Sequence, residues 1–415
     1  MSRAAAVGAT RARFARDEWL LIGALLMAGL SMRTAVTSVG AVLGDIEAGL
    51  HSNSGVAGLI TTLPAICFAG LGALTPRMAA RAGQHRLLVI ALGAMTVGLV
   101  ARAVVGSVWL FLALSVLSLA GGAVANVVMP ALVKSHFPNQ VGRMTAVYTT
   151  ALAVGTTAGA GLTVPIGNLA SGPDSWRVGI GSWALLSVVA MLAWVPTTRH
   201  DSAVRIGPRR LSLRTLMRSP VAWRVTLFFA FQSVQAYVAF GWFERFLTAH
   251  GITDATAGWM VALLSAMGIP VSMIVPNVPM RYHRLVVVVL GGCFAGAYAG
   301  LSIAPAGGAW LWMVLAGIGG GMFPFSLVLM GYRSAGPATT ASLSAFAQGV
   351  GYVIAACGPL LFGVLHGATG GWTASLLVLW VALVIATVAG WLACTSRTVD
   401  DDVATTVAHS RGGGS

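Results

Sequence analysis

WLLIGALLMAGLSMRTAVTSVGAVL, residues Trp19 to Leu43, is a run of apolar and small residues broken by a single charge, Arg33. A stretch of this length exceeds the ~20 apolar residues that carry a helix across a bilayer. At about 1.5 Å of rise per residue, Arg33 lies roughly 21 Å in from Trp19. That is well inside a hydrocarbon layer about 30 Å thick and too deep for easy snorkelling. An arginine at such a depth costs about 2.5–3.5 kcal/mol on insertion scales, so the folded protein must supply a compensating contact.

The rest of the chain has the same character. Its 415 residues are 57% hydrophobic and 9% charged, with a mean hydropathy of +0.84, whereas about a quarter of a soluble domain is charged. The first apolar run extends over 18–46, and others follow near 54–76, 86–105, 108–133, 142–167, 176–196, 220–247, 255–279, 285–304, 308–332, 339–366 and 371–394. The fold class expected is an all-α membrane protein of twelve transmembrane helices, with no room for a soluble domain. The organisation read from these breaks is a tail at 1–17, a six-helix bundle at 18–197, an Arg-rich linker at 198–219, a second bundle at 220–394 and a tail at 395–415 whose GGGS end reads as a tag remnant.

The net charge of +14 would suggest nucleic acid in a soluble protein, but here the basic residues occupy alternate loops. Arg3, Arg11, Arg13 and Arg16 precede the first run, Arg77, Arg81 and Arg86 follow the second, and seven arginines occupy or border the linker from Arg199 to Arg224. Lys134, Arg143, Arg281, Arg284, Arg333, Arg397 and Arg411 continue the series, leaving Arg102, Arg177 and Arg245 for the opposite side. The positive-inside rule then places both termini in the cytoplasm of a bacterial-type inner membrane, and no nucleic acid is needed to explain the charge. The cysteines Cys67, Cys293, Cys357 and Cys394 stand singly in apolar segments, without metal-ligand spacing or a disulfide framework. They read as packing residues. The first run is too long for a signal-peptide core and reads as a retained span.

The halves echo one another. HRLLV at His85 returns as HRLVV at His283, LAG at Leu119 as LAG at Leu315, and the MP beginning at Met129 as FP at Phe323. Six spans per half preserve orientation, so the expected repeats are parallel, with a substrate site near midplane between them. Most of the 52 glycines are expected at helix contacts, where small residues let backbones approach.

Several segments resemble the cyanate and 2-nitroimidazole transporter branch of the major facilitator superfamily. They are MRTAVTSVGAVL at Met32, NVVMPALVKSHFP at Asn126, MTAVYTTALAVG at Met144, FQSVQAYVAFGW at Phe231 and LSAFAQGVGYVIAACGPLLFGVLHGATGGW at Leu343. The resemblance implies the major facilitator fold and a small planar polar or anionic substrate. Two departures stand out. The loop TPRMAARAGQHR, Thr75 to Arg86, lacks the acid that most facilitators carry there, and Trp242-Phe243-Glu244 stands where the branch has tryptophan, an apolar residue and proline.

No acid or histidine falls at midplane in this reading, so Arg33 lacks a counter-charge and a bound anion is its natural partner. Thr37, four residues on, shares its helical face. Asn126 is the deep polar member of a stripe with Gly122, Pro130 and Lys134, and Tyr148 lies about two turns into the fifth run. In the seventh run Gln232, Gln235 and Trp242 share one face, while Ser233, Tyr237 and Glu244 lie about a third of a turn away. Ser344, Gln348 and Tyr352 form a stripe in the eleventh. The candidate substrate-binding set is therefore Arg33, Thr37, Asn126, Tyr148, Gln232, Gln235, Tyr237, Gln348 and Tyr352, with Glu244 a candidate at the outer mouth or for coupling. Interhelical hydrogen bonding is the plainer role open to the amides, and packing to the tyrosines.

The function expected is secondary active transport of a small anion or small polar heteroaromatic compound by alternating access. It needs no cofactor, metal or catalysis, and its partners are the small-molecule substrate and the bilayer, with protons as a candidate coupling ion and a monomer as the working unit. A proton-coupled drug or metabolite exporter of the same fold and a channel-like facilitator are the alternatives. A primary pump is disfavoured, since the only lysine, Lys134, follows NVVMPALV rather than a glycine-rich phosphate loop. An enzyme would need a nucleophile, paired carboxylates or a metal cluster at one depth, and no such set is visible.

Overall fold

The computed structural model describes residues 18–137, 141–201 and 211–402. Arg3, Arg11, Arg13, Arg16, Asp17, Arg205, Arg209, Arg210, Arg411 and the GGGS end lie outside the described residues. Twelve helical segments among the described residues are long and apolar enough to cross a membrane. Spans 1 to 6 are Glu18–Gly40, Ser54–Ala82, Gln84–Val104, Val108–His136, Val141–Gly167 and Ser175–Trp194. Spans 7, 8 and 9 are Pro220–Thr248, Asp254–Ile274 and His283–Ile303. Span 10 comprises Ala309–Gly319 and Met322–Tyr332, span 11 is Pro337–Thr369 and span 12 is Thr373–Ala393. The chain is an all-α membrane protein built as two parallel six-helix repeats, and His85 and His283 each sit buried at the start of the third span of a repeat.

The ends of the spans follow local chemistry. Asn53, Ser219 and Thr253 accept from the backbone N–H three residues on, at Val56, Ala222 and Thr256, and so cap spans 2, 7 and 8. Gly370 ends span 11 in the left-handed region at φ 65°, a conformation that glycine adopts without a Cβ clash. Span 1 stops earlier than expected, at Gly40, and the residues that follow form a separate short helix, Leu43–Gly49.

The basic end of the molecule, where spans 6 and 12 end, is tied by carboxylates from the described parts of the connections that follow them. Asp201 accepts from the backbone N–H of His85 at 2.8 Å and Arg86 at 2.9 Å, so the linker supplies at the start of span 3 the acid that the preceding loop lacks. Asp402 accepts from Ser219 Oγ at 2.6 Å at the start of span 7. Asp400 accepts from Ala335 N and Thr339 Oγ1, both at 2.7 Å, at the start of span 11. Helix N-termini expose unpaired N–H groups and favour negative charge, which is why three acids from loops settle there.

Between the halves, span 2 packs along span 11, span 5 along span 8, and spans 1 and 2 against span 7. The closest contacts lie toward the far end, opposite the basic one. Glu47 pairs with Arg245, Trp242 Nε1 donates to Thr61 Oγ1 at 3.0 Å, and Thr62 Oγ1 donates to the Ala356 carbonyl at 3.1 Å. Glycine makes this seam possible: a Cβ on Gly40 would fall on the Phe240 carbonyl oxygen, and one on Gly363 would come within 2.7 Å of the Ser54 carbonyl. The far end is therefore shut by direct helix-on-helix contact.

Candidate functional site

The central site is organised by a break in span 1. The helix yields to a turn at Met32 and Arg33 and restarts at Thr34, with Val36 N and Thr37 N both donating to the Arg33 carbonyl at 3.0 and 3.1 Å. Side chains add bonds beside the break: Ala28 O keeps Met32 N at 3.1 Å and also accepts from Ser31 Oγ at 3.0 Å, and Ser31 O accepts from Thr34 Oγ1 at 2.9 Å. Such interruptions are tolerated in membranes where other groups satisfy the freed backbone and a cavity is lined.

Arg33 is half-buried, and among the described residues its guanidinium has neither an ion pair nor a hydrogen bond. It stands 5.5 Å from the centroid of the Phe68 ring in span 2, a cation–π contact. The phenols of Tyr237 in span 7 and Tyr352 in span 11 lie within its electrostatic reach. The rings interlock: Tyr352 is 5.6 Å from Phe68, 5.1 Å from Phe229 and 6.2 Å from Tyr237. Tyr237 is buried, and its hydroxyl has no partner among the described residues. A cation and flat apolar faces from both halves thus meet at one place. That arrangement can hold a small anion or planar polar molecule, with the rings excluding water and the guanidinium donating.

The expected set divides on inspection. Arg33, Tyr237 and Tyr352 come together. Gln348 lies one turn from Tyr352 toward the basic end and is partly exposed, its amide donating to Ser344 Oγ at 2.7 Å. Asn126 is also partly exposed and has no hydrogen-bond partner among the described residues, while Gly122, a turn above it, packs against the Met32 carbonyl beside Arg33. Tyr148 is buried in an apolar cluster with Leu25, Met32 and Leu132.

Three residues depart from the expectation. Gln235 is fully buried and turns into the second half, where its Oε1 accepts from Tyr298 of span 9 at 2.9 Å. Gln232 is 2% exposed and donates to its own helix, to Phe229 O at 3.0 Å and Ser233 Oγ at 2.7 Å. Thr37 is 2% exposed, donates to the Arg33 carbonyl at 3.2 Å, and packs on Gly159 of span 5. Gln235 thus bonds to another span, the plainer role open to such groups in hydrocarbon, while Gln232 is satisfied within its own helix and Thr37 packs between spans 1 and 5.

Arg102 is a further correction. Expected on the side opposite the termini, it is instead completely buried and donates from both terminal nitrogens to the Ala35 carbonyl at 3.2 Å. Its place near the end of span 3 made it look like an interfacial residue. The aromatic frame of Phe68 and Phe229 was also missed, since isolated phenylalanines in apolar spans carry no distinguishing signal.

At the far end Glu244 is 6% exposed and has no ion pair among the described residues, its neighbour Arg245 being taken by Glu47. Asp45 and Asp254 lie within its electrostatic reach. Asp45, outside the spans, is held above the ordinary carboxylate range by partial burial and by the nearby Asp254.

Comparison with known proteins agrees with this architecture. The Major Facilitator Superfamily profile matches residues 21–357. The chain is 34% identical over 379 residues to an uncharacterized transporter, YycB, of Bacillus subtilis (strain 168), covering 90% of this chain and 92% of the relative. It is 32% identical over 368 residues to the 2-nitroimidazole transporter of Escherichia coli (strain K12), covering 87% and 92%, and 27% identical over 356 residues to the cyanate transport protein CynX of the same organism, covering 84% and 90%. Among solved structures, a bacterial homolog of the human lysosomal transporter Spinster, in an inward-facing and unoccupied conformation, superposes with a TM-score of 0.73 at 16% identity, over 93% of this chain and 98% of that one.

Proposed function

Since the chain belongs to the major facilitator superfamily, in its cyanate and 2-nitroimidazole transporter branch, and is a transporter, we propose that it is a secondary carrier of a small anion or small polar heteroaromatic compound and works by alternating access. The observation that carries this reading is Arg33, half-buried between the repeats without a counter-charge among the described residues and set beside the rings of Phe68, Tyr237 and Tyr352. A substrate carrying partial or full negative charge would complete the guanidinium, while Phe68 and Tyr352 would clasp its flat faces. Asn126 and Gln348 flank the path toward the basic end.

Charge supports reading the basic end as the cytoplasmic side, and on that reading the shut far end is the outer gate. Transport requires the bundles 18–197 and 220–394 to rock apart there, releasing the Glu47–Arg245 pair and the Trp242–Thr61 bond, while the basic end closes.

Counterflow of labelled cyanate and 2-nitroimidazole in proteoliposomes tests the proposal. Saturable exchange is expected in the wild type, with loss in Arg33→Ala at unchanged folding. Arg33→Lys should also be poor, because a point charge does not reproduce the planar fork of donors. Wild-type exchange by the alanine variant would remove Arg33 from the binding site. Non-saturable flux without counterflow would instead favour a channel-like facilitator.

A further inference from the structure

On the far side of Tyr237 lies a second polar void that the central site does not use. A cavity of about 20 Å³ is lined by Arg102, Ser115, Thr61 and Tyr237, with Ala35 and Ile60 among its apolar walls. One water needs about 10–15 Å³ measured in this way, so the space suits a single small body. Three of the lining groups are orphans: Arg102 Nε, Ser115 Oγ and the Tyr237 hydroxyl are all buried without a hydrogen-bond partner. Arg102 is 0% exposed, Ser115 2% and Tyr237 4%. The terminal nitrogens of Arg102 donate to Ala35 O and, at 3.5 Å, to Ser38 Oγ, both neutral. Among the described residues no acid pairs with Arg102.

A full positive charge is thus buried with no protein counter-charge in contact among the described residues, and it adjoins a void lined by Ser115 and Tyr237, whose hydroxyls are likewise unpaired. A buried charge is tolerated when it is paired and hydrogen-bonded. A water would satisfy the geometry but leave the charge. A monovalent anion of halide size satisfies both. We propose that the Arg102–Ser115–Tyr237 cavity is an occluded binding site for a small monovalent inorganic anion, separate from the Arg33 site and divided from it by Tyr237. The ring of Tyr237 stands beside Tyr352 and the Arg33 site, and the same residue lines the cavity. One side chain therefore closes both compartments, so an anion held at Arg102 would also fix Tyr237 in its position at the central site.

The test uses purified full-length protein in nanodiscs, with bromide or chloride titrated against gluconate at constant ionic strength. A saturable rise in melting temperature with halide is expected, together with an anomalous bromide peak within hydrogen-bonding distance of Arg102 Nε and Ser115 Oγ. Arg102→Met should abolish the dependence. Should that variant fail to fold, Ser115→Ala removes only a hydroxyl, and a lost hydrogen bond to a charged partner predicts about a tenfold weaker halide affinity or more. An ordered water without bromide in the cavity, or halide stabilisation unchanged in Ser115→Ala, would overturn the proposal. Stabilisation that vanishes in Arg33→Ala but persists in Ser115→Ala would place the anion at the central site, overturning this proposal while supporting the transport reading.

Discussion

Gly40→Ala offers a sharp probe of the shut far end. The new Cβ would overlap the Phe240 carbonyl oxygen and lie 3.5 Å from Gly241 Cα. Both are backbone atoms of span 7, so no rotamer change relieves the clash and the two helices must separate. Overpacking of this kind costs about 1–3 kcal/mol. The cost falls only on the conformation in which spans 1 and 7 touch, since opening the far end parts them. At about 1.4 kcal/mol per factor of ten, the population should move toward the far-end-open form by roughly 5- to 140-fold. Ile60, 3% exposed beside the same seam, is a suitable reporter. With the four native cysteines replaced and Ile60→Cys introduced, labelling by a membrane-impermeant maleimide from the far side should accelerate by that factor when Gly40→Ala is added. An unchanged labelling rate together with wild-type transport would refute the argument that backbone contact at Gly40 belongs to one end state only.

Gln235→Leu should lower the melting temperature, because it leaves the buried Tyr298 hydroxyl without its acceptor, a loss of about 1–3 kcal/mol. Substrate affinity should stay near wild type, as a calorimetric titration would show. Uptake measured with and without an imposed pH gradient at fixed membrane potential should depend weakly on the gradient, since no acid is placed at the central site, and Glu244→Gln should change it little. Strong accumulation abolished by that variant would assign proton coupling to Glu244. The Cys394 thiol, just beyond span 12, is pushed up to about 11 by burial, against an ordinary value of 9.0. At pH 8 its thiolate is then about one part in a thousand rather than one in ten, so alkylation should speed up roughly 100-fold on unfolding, as peptide mass mapping would measure.

What the chain determines by itself is its relation to the bilayer. Twenty-odd apolar residues form a helix there whatever their neighbours, because an unpaired backbone group in hydrocarbon is too costly. The expected spans therefore coincide with the helices to within a few residues over most of their length, and the parallel repeat was legible in the echoes at His85 and His283. Arg33 was legible for the same reason: a lone charge inside a membrane-length apolar run is conspicuous in the order of residues alone.

The tertiary structure alone decided which way the polar side chains face. In a soluble helix the polar face marks the solvent, but lipid and protein interior are alike apolar, so a glutamine in a span carries no sign of its direction. Gln235 and Tyr237 lie two residues apart, yet one joins span 9 and the other faces the site at Arg33. Arg102 shows the converse. Read along the chain it belonged to a membrane surface, but span 3 packs so closely on its neighbours that the guanidinium reaches the Ala35 carbonyl of span 1 and is wholly enclosed. The break at Met32 and Arg33 was equally hidden, since no proline or glycine occupies those positions and the side chains that bond to backbone carbonyls beside it, Ser31 and Thr34, are residues that a continuous helix would accommodate as well.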